Sequence, residues 1–105
     1  MPLHFVHTVY FALEDHAADS RASFIKLCQH YLPGHPGEIY FSVGERNDEI
    51  IRDVSDLNYD IAMTIVFDSF AAYESYQASA RHDGFRDELS RIPVTVRVFD
   101  SLLNS

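Results

Sequence analysis

Two polar side chains six positions apart, Tyr76 and His82, are the strongest chemical lead in this 105-residue sequence. Imidazole titrates close to neutral pH, so a histidine beside a carbonyl can take a proton from the neighbouring carbon. A tyrosine hydroxyl next to it can polarise the carbonyl or position the base. The pair also has an architectural reading, in which His82 caps a broken helix and Tyr76 packs in the core with its hydroxyl at the rim. His7 stands in an apolar run, where a histidine either satisfies itself on a carbonyl or hydroxyl or lines a pocket. His4 falls on the opposite side of the same run, and His35 lies among prolines and glycines and reads as a loop residue. No two histidines have the i, i+4 spacing of a helical zinc site, and no cysteine pair exists, so no metal is expected. Cys28 falls on an apolar stripe, which favours packing over nucleophilic chemistry. There is no phosphate-binding glycine loop and no Gly-x-Ser-x-Gly elbow, and no cofactor is implied.

The elements that must position these groups follow from pattern. Leu3 to Leu13 is rich in Val, Phe, Tyr and Thr, which favours a strand. Both of its alternating sets, one carrying His7 and the other carrying Val6, Thr8, Tyr10 and Ala12, are largely apolar. A strand wet on one side should show polar residues at every second position, so this one should be covered on both. Asp15 or Asp19 is placed to cap a helix that runs to about Leu32, with Phe24, Leu27, Cys28, Tyr31 and Leu32 on one stripe. The Pro33 to Gly37 stretch, PGHPG, stops it. Glu38 to Arg46 reads as the second strand, with Gly44 suggesting a bulge or a close approach. Asn47 to Asn58 is a long polar connection that has room for a short helical turn.

Tyr59 to Asp68 is the third strand, with Ile61, Met63 and Ile65 on one side and Ala62, Thr64 and Val66 on the other. Asp68 or Ser69 caps the next helix, whose apolar spacing includes Phe70, Tyr73 and Tyr76. A break is expected near Arg81 to Gly84, then a short helical piece from Phe85 to Arg91. Ile92-Pro93 ends it, and Val94 to Leu102 is the fourth strand. The order β-α-β-β-α-β is the ferredoxin-like α+β pattern, a four-stranded antiparallel sheet with its helices on one face, in one domain over residues 1–105. The uncovered face is apolar, which is unusual for a monomer. Burying even ~500 Å2 of it per subunit is worth on the order of 10 kcal/mol before the costs of association. A face-to-face homodimer is the simplest cover.

Composition sets the outer limits. The net charge of −8 and the scattered Lys and Arg argue against nucleic acid or an anionic membrane surface as partner. No apolar run reaches the ~20 residues of a membrane span, and the first residues lack a secretory pattern. A single cysteine suits a reducing, cytoplasmic setting.

The chain resembles the stress-responsive dimeric α/β-barrel (Dabb) family. The residues carrying the match are His7 to Leu13 (HTVYFAL), Tyr59 to Ala62 through Phe67-Asp68-Ser69, Tyr76 to His82, and Phe99-Asp100. The resemblance implies a dimer whose two sheets face each other as a barrel. The family includes plant olivetolic acid cyclase, which closes a polyketide ring by aldol condensation without a cofactor. There a strand-one histidine, a helix tyrosine and a following histidine line a pocket between sheet and helices, and the matching positions are His7, Tyr76 and His82. A further pocket histidine of that enzyme corresponds to Ile61, where this chain departs from it.

The reading that joins these observations is a dimeric protein of stress-response type with a pocket for a small hydrophobic or aromatic molecule. His82 and Tyr76 are its candidate catalytic pair, and His7, Ile61, Met63, Tyr73 and Phe85 its candidate lining. A non-catalytic dimeric binding protein is the first alternative, and a cofactor-free monooxygenase on the same architecture the second. The haem-degrading relatives depend on a tryptophan, and this chain has none. Sedimentation at micromolar concentration is expected to give twice the 12 kDa chain mass. A stable 12 kDa species would contradict the account of the uncovered sheet face.

Overall fold

Alternation along two central strands organises the molecule. In the computed structural model, which describes residues 3–104, β1 (His4–Leu13) buries Phe5, His7, Val9, Phe11 and Leu13, while the intervening residues from Val6 to Ala12 are only half-buried. The strand β3 (Ile61–Phe67) does the same with Ile61, Met63, Ile65 and Phe67. These side chains face the helices. Val6, Thr8, Tyr10, Ala12, Ala62, Thr64 and Val66 share the other face of the sheet, as the period of two requires.

The remaining elements are α1 (Ala18–Tyr31), β2 (Glu38–Glu45), α2 (Phe70–Gln77), α3 (Ala80–Leu89) and β4 (Val94–Leu103). The strands lie in the order β2-β3-β1-β4, and every neighbouring pair is antiparallel. This is the ferredoxin-like α+β fold, with α2 and α3 together standing where the pattern has one second helix. Phe24 and Cys28 of α1 and the following Leu32 are buried against the sheet, joined by Tyr76 of α2 and by His82 and Phe85 of α3. Among the described residues, no helix is long and apolar enough to cross a membrane.

Several local expectations are corrected. The second helical region breaks at Ala78-Ser79 rather than near Arg81 to Gly84. The Ser79 hydroxyl bonds back to the Tyr76 carbonyl at 2.8 Å and accepts from the His82 backbone N–H at 3.1 Å, so one serine closes α2 and caps α3. The last helix therefore begins at Ala80 and carries His82 in its first turn, instead of starting at Phe85. Gly84 looks like a breaker but sits inside α3. A Cβ there would stand 2.8 Å from the ring of Tyr31, so glycine is what lets α1 and α3 approach.

The residue at the start of α1 is Ala17, which makes no side-chain cap. Asp15 lies just upstream and takes the Ala17 N–H at 3.0 Å and the Ser20 hydroxyl at 2.6 Å. Ser69 does cap α2, accepting from the Ala72 N–H at 3.1 Å. The bulge in β2 falls between Glu38 and Tyr40, whereas Gly44 pairs regularly with Ala62 and has open space beside it. The connection after β2 forms no helix.

Gly37 ends the PGHPG turn at φ 85°. A Cβ there would meet the Ala72 Cβ at 2.4 Å, and Ala72 is fixed to a helix backbone. Strain in the left-handed region and a clash with an unyielding atom act together. Gly37→Ala is expected to lower stability by about 2 kcal/mol or more in chemical denaturation. An unchanged midpoint would show that the α2 end of the turn can shift.

Candidate functional site

The helical layer stops short of β4. Val96 and Val98 lie in register with Phe11 and Val9, on the helix-facing side of the sheet, yet they are 40% and 49% exposed. Beneath α3 and beside these valines is a cavity of about 190 Å3. Its apolar wall is Val9, Phe11, Leu32, Met63, Phe85, Val96 and Val98, and its polar groups are His7, Tyr76, Gln77, His82 and Arg86. A larger open groove of about 620 Å3, between the start of α1 and the turn into β4, is lined by Phe24, Leu27 and Ile92 and by Glu14, Asp15 and Asp19, with no histidine. His7, Tyr76 and His82 converge on the smaller cavity, whereas His16 pairs with Asp60 in a separate polar cleft.

His7 is held by Asp100 of β4. The β1–β4 register sets Asp100 directly opposite His7, and Nδ1 of His7 lies 2.5 Å from Asp100 Oδ1. The histidine is 4% exposed, and the aspartate side chain is one third exposed. With Nδ1 engaged by the carboxylate, Nε2 is the nitrogen left to accept a proton, the orientation a general base needs.

His82 is in the opposite condition. It is 6% exposed, and its Nδ1 is buried with no hydrogen-bonding partner among the described residues. Burial lowers its pKa to about 4, and the positive Arg86 and the nearby His7 and His35 push the same way. It is thus a neutral imidazole at neutral pH. A buried, unpaired nitrogen costs stability unless something occupies the adjoining space.

Tyr76 links these groups. Its ring centroid lies 4.7 Å from that of His82, 6.0 Å from His7 and 4.9 Å from His35, each in an edge-on arrangement. Burial, and then the nearby Glu38 carboxylate, hold its hydroxyl protonated well above the usual tyrosine range. It can donate a hydrogen bond, but it cannot act as a phenolate at ordinary pH.

Of the expected lining, His7, Met63 and Phe85 border the cavity together with Tyr76 and His82, but Ile61 and Tyr73 do not. Ile61 is fully buried, paired with Phe11 and Glu45, and packs into the core without bordering the cavity. Tyr73 turns its ring onto Phe5 at 4.4 Å and onto the outer side of His7 at 5.2 Å. His35 is more than a loop residue. It is buried, and its Nε2 lies 2.8 Å from the Tyr31 carbonyl oxygen, which fixes the ring against Tyr76. Cys28 is packed in the core, and burial pushes its thiol up to about 12, so it is inert. No cluster of three or more His, Cys, Asp or Glu able to hold a metal occurs among the described residues.

Residues 5–102 match the model of the stress responsive A/B barrel domain, Dabb. The chain belongs to that family. No curated protein matches the sequence. This Dabb chain is similar in fold to a dimeric ferredoxin-like protein of unknown function from Thermobifida fusca, at 13% identity and a TM-score of 0.76, covering 98% of this chain and 93% of that one. It is similar to the hydroxynitrile lyase of Passiflora edulis at 17% identity and a TM-score of 0.75, covering 100% and 97%. A Dabb protein of ferredoxin-like fold from Mesorhizobium loti matches at 20% identity and a TM-score of 0.75, covering 98% and 99%. At these identities the likeness is one of fold.

The depressed basicity of His82 has a consequence for stability. Unfolded, the imidazole titrates near 6.5, and folded near 4. Between those values the unfolded chain holds a proton that the folded chain does not, so acid favours unfolding. The contribution is complete above pH 6.5 and is lost as pH falls toward 4. Denaturant titrations at the two ends of this window are expected to show wild type losing on the order of 2 kcal/mol more than His82→Leu. Equal losses in the two proteins would contradict the assignment.

Proposed function

We propose that this Dabb chain forms a homodimer through its open sheet face and binds a small molecule in the cavity under α3, on which it performs cofactor-free proton transfer. The observation that carries the reading is the buried, unpartnered Nδ1 of His82 at a cavity that also holds a carboxylate-oriented histidine. A buried nitrogen without a partner calls for an explanation. Nδ1 itself has almost no accessible surface, so a ligand donor reaches it once the ring turns toward the cavity.

The roles divide by chemistry. His7, aligned by Asp100, is the base that takes a proton from a carbon or hydroxyl of the ligand, and Asp100 stabilises the imidazolium that forms. Tyr76, protonated, donates a hydrogen bond to the oxygen on which charge develops. His82 stays neutral and accepts from the ligand, which fixes its orientation. This shifts the base from His82, the residue the sequence favours, to His7, because a pKa of about 4 leaves His82 a weak base. The small volume makes the ligand smaller than a linear polyketide.

The dimer rests on the open face, where Tyr40 and Phe99 are more than half exposed around the half-buried Thr8, Ala62, Thr64 and Val66. Support comes also from the dimeric description of fold neighbours. The long loop before β3 is tied to this face by Arg97, whose guanidinium donates to Asp56 at 2.9 Å. Its exposed Ile50, Ile51 and Val54 extend the apolar surface.

Deuterium exchange tests the chemistry without a known substrate. Small ketones carrying one aromatic ring, such as acetophenone, are incubated with the protein in D2O and followed by NMR. Wild type is expected to speed exchange at the carbon next to the carbonyl by about 100-fold or more, the usual reach of a positioned base. His7→Ala should abolish the gain, and Asp100→Asn should reduce it. Binding of the ketones without exchange would leave a binding pocket and sink the catalytic reading.

A further inference from the structure

We propose that the natural ligand of this cavity is a small monoanion, with an apolar body about the size of one six-membered ring and its charge held at Arg86. The inference rests on the reading of the cavity as a ligand site and goes beyond it by assigning the ligand's charge, size and orientation.

Arg86 is the one cationic side chain that is permanently charged among those bordering the cavity. It stands on α3 one helical turn beyond His82 and on the same face, with its side chain largely exposed. Its guanidinium bonds to the Gln77 amide oxygen, across the gap between α2 and α3, and forms no ion pair with any described carboxylate. In a chain of net charge −8, Arg21, Arg46, Arg91 and Arg97 each pair with a carboxylate, while Arg81, away from the cavity, is held by backbone carbonyls. Arg86 has been left with a neutral partner, which an incoming carboxylate or enolate oxygen displaces readily because a charge-assisted fork is the stronger bond.

Asp100, bonded to His7, repels an anion, whereas Arg86 attracts one. A bound anion is thereby oriented, with its charge at Gln77 and Arg86 and its uncharged part toward His7. Between the two, Val9, Phe11, Met63, Phe85, Val96 and Val98 offer only apolar surface. The volume of about 190 Å3 fixes the size. A dry apolar cavity of roughly 150 Å3 accommodates benzene, so one ring with a small substituent fills this one.

The test uses the full chain and two probes of equal shape, benzoate and benzamide, with affinities read by calorimetry or NMR titration at neutral pH. Benzoate is expected to bind about tenfold or more tightly than benzamide, the range of one charge-assisted contact. Arg86→Gln is expected to erase that difference while leaving benzamide affinity unchanged. The side chain is exposed, so the melting temperature should not move. Equal binding of the two probes to wild type, or a preference for benzoate that survives Arg86→Gln, overturns the charge assignment but leaves the ligand site standing. Binding of neither probe overturns both.

Discussion

The whole arrangement depends on a shortfall of cover. Four strands must be roofed on one side by three short helices, and those helices spend themselves on β1, β3 and the adjoining part of β2. The alternating apolar sets of β1 and β3 are fully buried as a result, while β4 presents Val96 and Val98 to a roof that does not reach them. A helical layer centred on β4 would have closed the cavity. One centred as it is leaves a slot under α3, bordered by polar groups of three different elements, β1, α2 and α3.

The same shortfall explains how those groups acquire their different characters. His7 comes from a central strand and is buried, while its cross-strand neighbour on β4, the partly exposed Asp100, bonds to Nδ1 and orients the ring. His82 comes from the first turn of α3. The Ser79 cap fixes that turn, and the ring is driven inward against Tyr76, where no described residue meets its Nδ1. Two histidines only a ring apart therefore have opposite environments, one supported by a carboxylate and one stripped of water beside a cation. Separation of this kind lets one side act as a base and the other as a neutral hydrogen-bonding partner.

Much of this was legible in the sequence, because apolar residues on both faces of a strand leave a plain mark. The doubly apolar alternation of Leu3 to Leu13 and of Tyr59 to Asp68 gave the sheet, its two sides and the element order. The convergence of His7, Met63, Tyr76, His82 and Phe85 was also readable from spacing and family likeness. Four things were not. The break at Ser79 was masked by Gly84, whose apparent role as a breaker is in fact to admit Tyr31. Asp100 has no local signal; it gains meaning only when the β1–β4 register is known. His35 was hidden by the turn chemistry around it, which gave no hint that its ring folds inward. Ile61 and Tyr73 share a face with true lining residues, but the cavity occupies only part of that face, and a period of two says nothing about where along a strand a roof ends.

The claim at the centre is that His82 is a dry, unpartnered imidazole at an open slot, and nitrogen-15 NMR of the histidine rings across pH tests it most directly. The account predicts that the His82 signals stay those of a neutral ring through the physiological range and change only near pH 4. A midpoint near 6.5 would place the ring in contact with water or a partner and contradict it.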